Sequence, residues 1–534
     1  MALTRLAPSL LVALVAFVAG WMALMPGVAF WDTGELQAVG PLLGTAHPTG
    51  FPTYVLLGWL ASVVLQPFGE PAYRMNLLSA LCVAVAAGVT VDLVRGLTGR
   101  VVLGVAAGIC LALTPIAWAI ATHAEAHALH LALVAILLWL LVEWDHRVRG
   151  SRLAGAGGAD ISDASRDRGD RFLIAATIVF GLSVGNHSLT LLLAIPVGLY
   201  VLSVDPGIWR RGRLVLTCFA ALVATVVLVY LELPLRAMPG PFRAPLVYGT
   251  PYTWDGFRYI VLAEQFQGSL SNPFGELPRK FGELLARTVS QFGILAPLIP
   301  IAFVATALRR PRYALLTGSA AAITCFFAAS YVNADINRYY LGPALMAWTW
   351  LAILAAAAVD LLRAMVGEAD TEPLGPAESP AVPHPRRSWT GLAVLLIAVA
   401  LLVPTLFDAP ARFAAADASR QREAETWTDH VLEVMEPNAV IVSWWSFSTP
   451  LWYVQRVEGR RPDITIIDDR TRLDENLGGL TEAIDANLGV RPVYTIRLDR
   501  REVALLAQRY DLDFIDGADA SALTRVVGRK STGS

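Results

Sequence analysis

Long apolar runs separated by short polar segments are the feature that most constrains the fold of this chain. A helix needs about 20 apolar residues to cross a bilayer core, so each such run predicts a membrane span. Of the 534 residues, 55% are hydrophobic and 16% are charged. Soluble domains carry roughly 25% charged residues. We therefore predict an α-helical polytopic membrane protein with about eleven spans, at 7–29, 76–94, 101–119, 126–143, 172–186, 188–203, 214–233, 288–308, 313–331, 341–362 and 389–406.

Arginine residues in the short loops predict how the chain is oriented. Cytoplasmic loops carry an excess of Lys and Arg. The arginine-bearing loops that fall on one side of the predicted bundle are 95–100, 147–171, 210–213, 309–312 and 386–387. This places the N-terminus in the cytoplasm, and 31–75, 120–125, 234–287, 332–340 and the C-terminal part outside. The expected location is a bacterial plasma membrane. A net charge of −2 gives no basic field for nucleic acid.

The C-terminal part differs in composition from the rest and is polar enough to fold in water. Its short apolar runs predict buried strands at 439–444, 464–467 and 492–497, and helical patterns follow at 450–458, 475–487 and 500–509. Strand–helix alternation is typical of an α/β domain with a parallel sheet. We therefore predict a membrane domain over 1–408, with external loops 31–75 and 234–287, and a small extracytoplasmic α/β domain over 409–534.

Two acidic residues, Asp32 and Glu35, follow the first apolar run directly. Asp-x-x-Glu before an amphipathic stretch is typical of a capping box, in which Asp32 would cap a helix and Glu35 would reach back. The same spacing places both carboxylates on one helical face. There, one carboxylate could take a proton from an acceptor hydroxyl and the other could hold that hydroxyl in place. The two interpretations are compatible.

The segment 47–52, His-Pro-Thr-Gly-Phe-Pro, cannot continue a regular helix because of its prolines and glycine. It predicts a rigid turn after the acidic segment. His47 either stabilises that turn or faces the same cavity as Asp32. Asn186 and His187 lie between two short apolar runs. Polar groups at that depth either pack between helices or line a cavity.

Histidines cluster at the start of the fourth predicted span. His123, His127 and His130 recur at helical spacing, with Glu125 among them. One helical face could hold a metal ion with such ligands, but no distant fourth ligand is evident. The favoured alternative is that Glu125 forms a polar wall of the external cavity.

Two arginines, Arg236 and Arg338, lie at predicted external ends of spans. The guanidinium fork suits an anionic lipid phosphate by charge and by donor geometry. Each is therefore a candidate phosphate ligand, and the alternative is contact with lipid headgroups alone.

These motifs together resemble the transmembrane protein O-mannosyltransferase-like family, which is part of the GT-C-type glycosyltransferase superfamily and was long described as a domain of unknown function. The resemblance covers most of the chain. The order and spacing of the motifs, more than any one of them, carry it. The matching segments are 32–35, 47–52, 74–79, 185–187, 233–237, 338–339, 450–453 and 458–463.

The resemblance implies a GT-C-like fold and an inverting transfer on the external face. Mannose or another hexose would pass from a polyprenyl-phosphate donor to a hydroxyl of protein Ser/Thr or of a glycan. The base would be Asp32, with Glu35 beside it, and no metal or other cofactor would be needed. Partners would be the donor, the acceptor and membrane lipids, without nucleic acid. The residues expected to bind substrate are His47, Glu125, His127, Asn186, His187, Arg236, Arg338 and Tyr339.

Two other functions remain open from the sequence. A lipid or sugar transporter or flippase would show charges near the middle of the bilayer and symmetric halves, and neither pattern is found in the sequence. A non-catalytic assembly or sensor protein would depend on its outer domain and not on Asp32.

Overall fold

The structure is a computed structural model that describes residues 2–156, 163–333, 335–365, 389–515 and 521–530. Helices build the chain before the C-terminal domain. Helices α1 to α9 are Ala2–Met22, Trp31–Leu42, Pro52–Val64, Pro71–Thr98, Val101–Ala112, Pro115–Ile120, Ala126–Ala156, Asp163–Asn186 and Ala194–Val204. Helices α10 to α17 are Gly212–Tyr230, Glu232–Ala237, Trp254–Val261, Leu277–Phe292, Leu298–Arg309, Pro311–Ser330, Leu341–Met365 and Trp389–Ala416.

Several helices of the bundle are apolar and long enough to cross a membrane. In the described ranges these are Pro71–Thr98, Ala126–Gly150, Gly212–Ala237, Pro311–Ser330, Ile336–Met365 and Thr390–Ala416. The segments Leu277–Leu295 and Leu298–Arg309 would together add another, but they meet at 81°. The predicted polytopic membrane architecture is confirmed. The count of about eleven spans stays a prediction, as does the domain boundary after residue 408.

Helix α4 lies at the centre of the bundle, packed against α1, α5 and α7. Small residues allow this close approach. A Cβ at Gly104 would lie 2.5 Å from the carbonyl oxygen of Val91, and one at Gly88 would lie 2.9 Å from that of Ser9. Such packing matters in a membrane because lipid removes the hydrophobic force between helices.

Several of the arginine-bearing loops meet at one end of the bundle. Arg100 and Arg309 both form ion pairs with Asp360, and Arg312 lies 3.0 Å from Asp145. The prediction that loops 95–100 and 309–312 share one side is therefore confirmed. The loop at 386–387 lies outside the described residues. That this end faces the cytoplasm stays a prediction.

The C-terminal domain contains a mixed five-stranded sheet of order β2-β1-β3-β5-β4. Its strands β1 to β5 are Val440–Ser443, Thr465–Asp468, Val493–Ile496, Tyr510–Phe514 and Thr524–Arg529. Its helices α18 to α22 are Glu423–Val434, Trp445–Trp452, Asp469–Asp474, Leu480–Asp485 and Arg500–Arg509.

Strand β1 pairs in parallel with β2 and β3, as predicted. The expectation of a wholly parallel sheet is wrong, since β5 pairs antiparallel with both β3 and β4. Strands β4 and β5 are polar on one face, and antiparallel strands at the edge of a sheet tolerate solvent on that face. They therefore lack the continuous apolar run by which the first three strands were recognised.

Helix α2, which carries the acidic motif, lies between the two parts of the molecule. It packs against α3 and α4 of the bundle, and against α19 and the π-helical turn Tyr453–Val457 of the C-terminal domain. The acidic motif therefore faces a space that the membrane domain and the C-terminal domain enclose together.

Candidate active site

The acidic motif does not form the predicted capping box. Helix α2 begins at Trp31, its N-cap residue is Phe30, and no side chain caps it. Asp32 thus lies within the first turn, and Glu35 does not reach back to the helix start. Glu35 instead accepts a hydrogen bond from the backbone N–H of His47 at 3.0 Å and pairs with His47 Nδ1. His47, which comes from a later segment, binds the carboxylate that was expected to complete the capping box. Sequence spacing alone could not reveal this contact.

The Glu35–His47 pair is almost fully buried, with Glu35 only 1% exposed. Burial by itself lowers the pKa of His47, but the adjacent carboxylate of Glu35 outweighs it and raises that pKa to about 9. His47 is therefore held as a cation at neutral pH.

The turn at 47–52 places His47 against the motif. Gly50 has φ +82°, and a Cβ there would lie 3.0 Å from Ile260 and 3.1 Å from Leu233. Gly50 N–H donates to the His47 carbonyl at 2.7 Å, which closes the turn. Pro52 then begins α3, where a missing N–H costs nothing. The predicted rigid turn is confirmed.

Arg338 is the centre of the charged cluster. Its guanidinium donates to Glu125 Oε2 at 2.7 Å, to Asp32 Oδ2 at 2.8 Å and to Asp335 Oδ2 at 3.3 Å. Its Nε is buried and has no partner among the described residues. Carboxylates outnumber the guanidinium, so the cluster carries excess negative charge.

Glu125 links Arg338 to His127. Its Oε1 accepts from His127 Nδ1 at 2.8 Å and from the His127 backbone N–H at 3.1 Å. Burial alone would raise the pKa of Glu125, but Arg338 and His127 together hold it well below its usual range. Glu125 is therefore a carboxylate at neutral pH, and it links Arg338 to His127.

A cavity of about 780 Å³ opens beside this cluster. Seven predicted site residues belong to its wall or rim: Asp32, His47, Glu125, His127, His187, Arg338 and Tyr339. The ring of His187 lies 4.5 Å from that of His127 and 5.7 Å from that of Tyr339, measured between centroids. The structure thus brings residues from five separate segments to one site.

Three predicted residues do not line the cavity. Glu35 lies behind His47. Asn186 donates to the Ala126 carbonyl at 2.9 Å, which fits the helix-packing interpretation. Arg236 donates to the carbonyls of Leu43 at 2.9 Å and Phe242 at 2.7 Å, so it braces a loop.

Aromatic residues missed as site candidates also line the cavity. Trp444 and Trp445 come from the C-terminal domain and Trp31 from α2. The Trp445 ring lies 5.6 Å from His47 and 6.5 Å from Trp31. Trp444 and Trp445 could have been found from their position in the chain, because they directly follow β1 and ligands favour the carboxyl ends of parallel strands.

Two buried amides hold the backbone behind the site and were also missed. Gln37 accepts from Ala29 N–H at 2.9 Å and donates to Asn76 at 2.9 Å. Asn76 in turn donates to the Met25 carbonyl and accepts from Ala124 N–H. This network ties α2 and α4 to the segment that presents Glu125.

The alternative of a histidine metal site finds no support in the geometry. Across the described residues, no three His, Cys, Asp or Glu side chains are grouped as metal ligands. His123, His127 and His130 are among the residues searched.

Comparison with known proteins identifies proteins to which this chain is similar. Residues 32–207 match the model of the protein O-mannosyl-transferase TMEM260 N-terminal domain. The chain is similar to the protein O-mannosyl-transferase TMEM260 of Mus musculus, with 27% identity over 460 residues, which is 82% of this chain and 59% of the relative. The chain therefore spans less than two thirds of that relative. The predicted resemblance to the transmembrane O-mannosyltransferases is confirmed.

Solved structures show the same fold. ArnT from Cupriavidus metallidurans, bound to undecaprenyl phosphate, aligns with a TM-score of 0.57 at 15% identity, over 99% of this chain and 98% of that one. The oligosaccharyltransferase AglB from Archaeoglobus fulgidus, with an inhibitory peptide and a dolichol-phosphate, aligns with a TM-score of 0.52 at 15% identity, over 97% and 74%. The predicted GT-C-like fold with a small C-terminal α/β domain is confirmed.

Proposed function

We propose that this protein is an inverting membrane glycosyltransferase. It transfers mannose or another hexose from a polyprenyl-phosphate donor to a hydroxyl of protein Ser/Thr or of a glycan. The observation that carries the proposal is the meeting of Asp32 and Arg338, 2.8 Å apart, at the wall of a cavity of about 780 Å³. A carboxylate and a guanidinium are the groups that such a transfer needs, the first for the hydroxyl proton and the second for the phosphate.

The names of the related proteins support the same chemistry. The mouse relative is named for O-mannosyl transfer, and the two structural neighbours hold undecaprenyl phosphate and a dolichol-phosphate. The AglB structure also holds a peptide. A lipid-linked phosphate donor and a protein acceptor are therefore proposed here.

The reaction begins when the donor phosphate binds Arg338 and displaces Asp32 from it, while Glu125 keeps its contact with the guanidinium. Asp32 is then free to accept the proton of the acceptor hydroxyl. The hydroxyl oxygen attacks the anomeric carbon from the face opposite the phosphate, and the bond from that carbon to the phosphate oxygen breaks. Positioning of both substrates lowers the barrier by up to roughly 7–11 kcal/mol, and a general base contributes about 100- to 10,000-fold.

The neighbouring residues have supporting roles in this scheme. Glu35 acts through His47, which it holds charged at the cavity wall. The tryptophans Trp31, Trp444 and Trp445 offer flat apolar faces for a sugar ring or an acceptor side chain. Apolar residues of the cavity lining, among them Leu189, Leu192 and Phe327, suit the lipid part of the donor.

The test is transfer from labelled polyprenyl-phosphate mannose by the purified protein in liposomes. Asp32→Asn should lower the rate about 100- to 10,000-fold. The matched control is Asp255→Asn, since Asp255 is 88% exposed and does not line the cavity. Undiminished transfer by a folded Asp32→Asn protein would remove Asp32 as the base. Absence of transfer by the unaltered protein, with mannose and with other hexose donors, would overturn the proposal itself.

We also propose that no bound metal takes part, as the resemblance implies, so EDTA should leave the rate unchanged. We further propose that the N-terminus lies in the cytoplasm and the C-terminal domain lies outside a bacterial plasma membrane. In intact cells, externally added protease should therefore reach the C-terminal domain.

A further inference from the structure

One buried polar atom at the cavity has no assigned role. His127 lies at the wall of the cavity and is 4% exposed, yet none of the residues that the structure describes gives its Nε2 a hydrogen-bond partner. A buried polar atom without a partner is costly, commonly by about 1–3 kcal/mol. Such an atom beside a cavity points to a ligand that completes its hydrogen bond.

The other ring nitrogen of His127 is fixed. Nδ1 lies 2.8 Å from Glu125 Oε1, and Glu125 is held as a carboxylate by Arg338 at 2.7 Å. A carboxylate only accepts hydrogen bonds, so Nδ1 carries the hydrogen. The neutral ring therefore has a bare Nε2, and a ring protonated on both nitrogens can give up only the Nε2 proton while Nδ1 stays bonded to Glu125. A carboxylate that orients an imidazole in this way also stabilises its protonated form.

Among the side chains that face the cavity here, His127 has an Nε2 that is available to exchange a proton. His187 and Tyr339 face its ring at centroid distances of 4.5 and 5.3 Å. His187 Nδ1 accepts from the Leu189 N–H at 3.0 Å, which fixes its own tautomer. Glu125 Oε1 lies 2.8 Å from Nδ1 of the ring, the position from which a carboxylate pairs with a protonated imidazole.

The negative charge that develops on the leaving phosphate is the reason why this site would need a proton donor. Departure of the sugar converts a phosphodiester with one negative charge into a monoester with up to two. Arg338 already faces Asp32, Glu125 and Asp335 within 3.3 Å. A second phosphate charge beside an excess of carboxylates is unfavourable, so a proton delivered to the leaving oxygen lowers the barrier.

We infer that His127 is the general acid that protonates the leaving phosphate. The inference rests on the proposed glycosyl transfer. As the bond from the anomeric carbon to the phosphate oxygen breaks, its electron pair stays on that oxygen, which takes the Nε2 proton of His127. The acceptor oxygen bonds to the anomeric carbon and gives its proton to Asp32. Exchange with solvent then returns a proton to His127 and removes one from Asp32.

The experiment varies how basic the leaving phosphate is. Transfer is measured with an ordinary polyprenyl-phosphate sugar and with a donor whose lipid bears fluorine atoms next to the ester oxygen. Fluorine makes the leaving phosphate less basic, so its departure depends less on a proton from a general acid. His127→Gln should lower the rate about 100- to 10,000-fold with the ordinary donor, and the deficit should shrink at least tenfold with the fluorinated donor.

Two further variants make the result specific. Asp32→Asn should show a similar deficit with both donors, because Asp32 acts on the acceptor. His146→Gln, at the arginine-rich end of the bundle and outside the cavity lining, should match the unaltered protein. Size-exclusion chromatography verifies folding, and His127→Asn gives the same comparison if His127→Gln does not fold.

Two outcomes would overturn the inference while leaving the proposed function intact. One is a His127 variant as active as the unaltered protein. The other is an equal deficit with both donors, which would show that His127 is structural or acts on the acceptor. Failure of the unaltered protein to transfer from either donor would instead overturn the proposed function, and the inference with it.

Discussion

Replacement of Arg338 by Gln tests whether the charged cluster is built as described. The Arg338 side chain is 13% exposed and that of Glu125 is 5% exposed, so water screens their contact little. Removing the guanidinium leaves Glu125 and Asp32 without their cation at 2.7 and 2.8 Å. Breaking a buried ion pair in this way commonly costs about 3–5 kcal/mol, because an uncompensated charge stays buried.

The cost should come mainly from the stranded charge of Glu125, and a double-mutant cycle isolates it. Adding Glu125→Gln to Arg338→Gln removes that charge and leaves two amides able to bond to each other. Since close buried pairs couple by about 1.5–7 kcal/mol, the double variant should be more stable than the sum of the two single changes predicts by at least ~1.5 kcal/mol.

The assay is thermal unfolding in detergent, followed by tryptophan fluorescence, with all four proteins compared under one condition. The control is Arg279→Gln. Arg279 also contacts two carboxylates, on Glu276 and Glu283, but it is 59% exposed, so its loss should shift unfolding little. Equal stability of Arg338→Gln and the unaltered protein, or additivity of the two changes, would refute the description of a buried coupled cluster.

Other expected outcomes follow from single contacts. His47→Gln should destabilise the protein most below pH 6.5 and progressively less as pH rises through about 9, because pairing with Glu35 raises the pKa of His47 and stabilises its protonated form. Unfolding temperatures of both proteins from pH 6 to pH 10 measure this, and a difference that does not depend on pH would contradict it. Gly34→Ala would put a Cβ 2.1 Å from the Ala29 carbonyl oxygen, so it should cost about 1–3 kcal/mol and lower the transfer rate; normal unfolding and activity would show that the backbone yields there. Asp335→Asn should scarcely change stability, since Asp335 is 73% exposed and 3.3 Å from its partner, and any effect on rate should fade in high salt; an effect that persists in 1 M salt, where the screening length is about 3 Å, would contradict this.

Much of the site was predictable because each residue carries a local signal. An acidic pair after an apolar run, a turn with two prolines and an arginine at a span end are all visible in the sequence. Seven of the ten predicted residues line one cavity. The resemblance joined these local signals into one site, since single motifs gave no reason to place Asp32 beside Arg338, which is 306 positions away.

The error over the capping box has a physical cause. Glu35 was expected to cap its own helix, but a more distant partner, His47, takes its carboxylate. Arg236 donates to loop carbonyls and does not line the cavity, and its role as a phosphate ligand stays a prediction. Trp444 and Trp445 were not named as site residues, and only the tertiary structure brings them from the C-terminal domain to the cavity.

The sequence by itself determined that the chain is a helical membrane protein with a small C-terminal α/β domain. Hydropathy and periodicity act over about 20 residues and need no knowledge of neighbours. Only the tertiary structure decided which charges pair. Arg338 holds Asp32 and Glu125 together, and Glu125 orients His127, because helix packing brings distant segments within hydrogen-bond range. Electrostatic contacts weaken over a few ångströms. If one of these helices were shifted by a turn along its neighbour, the hydropathy of the sequence would be the same but different charged residues would meet at the site.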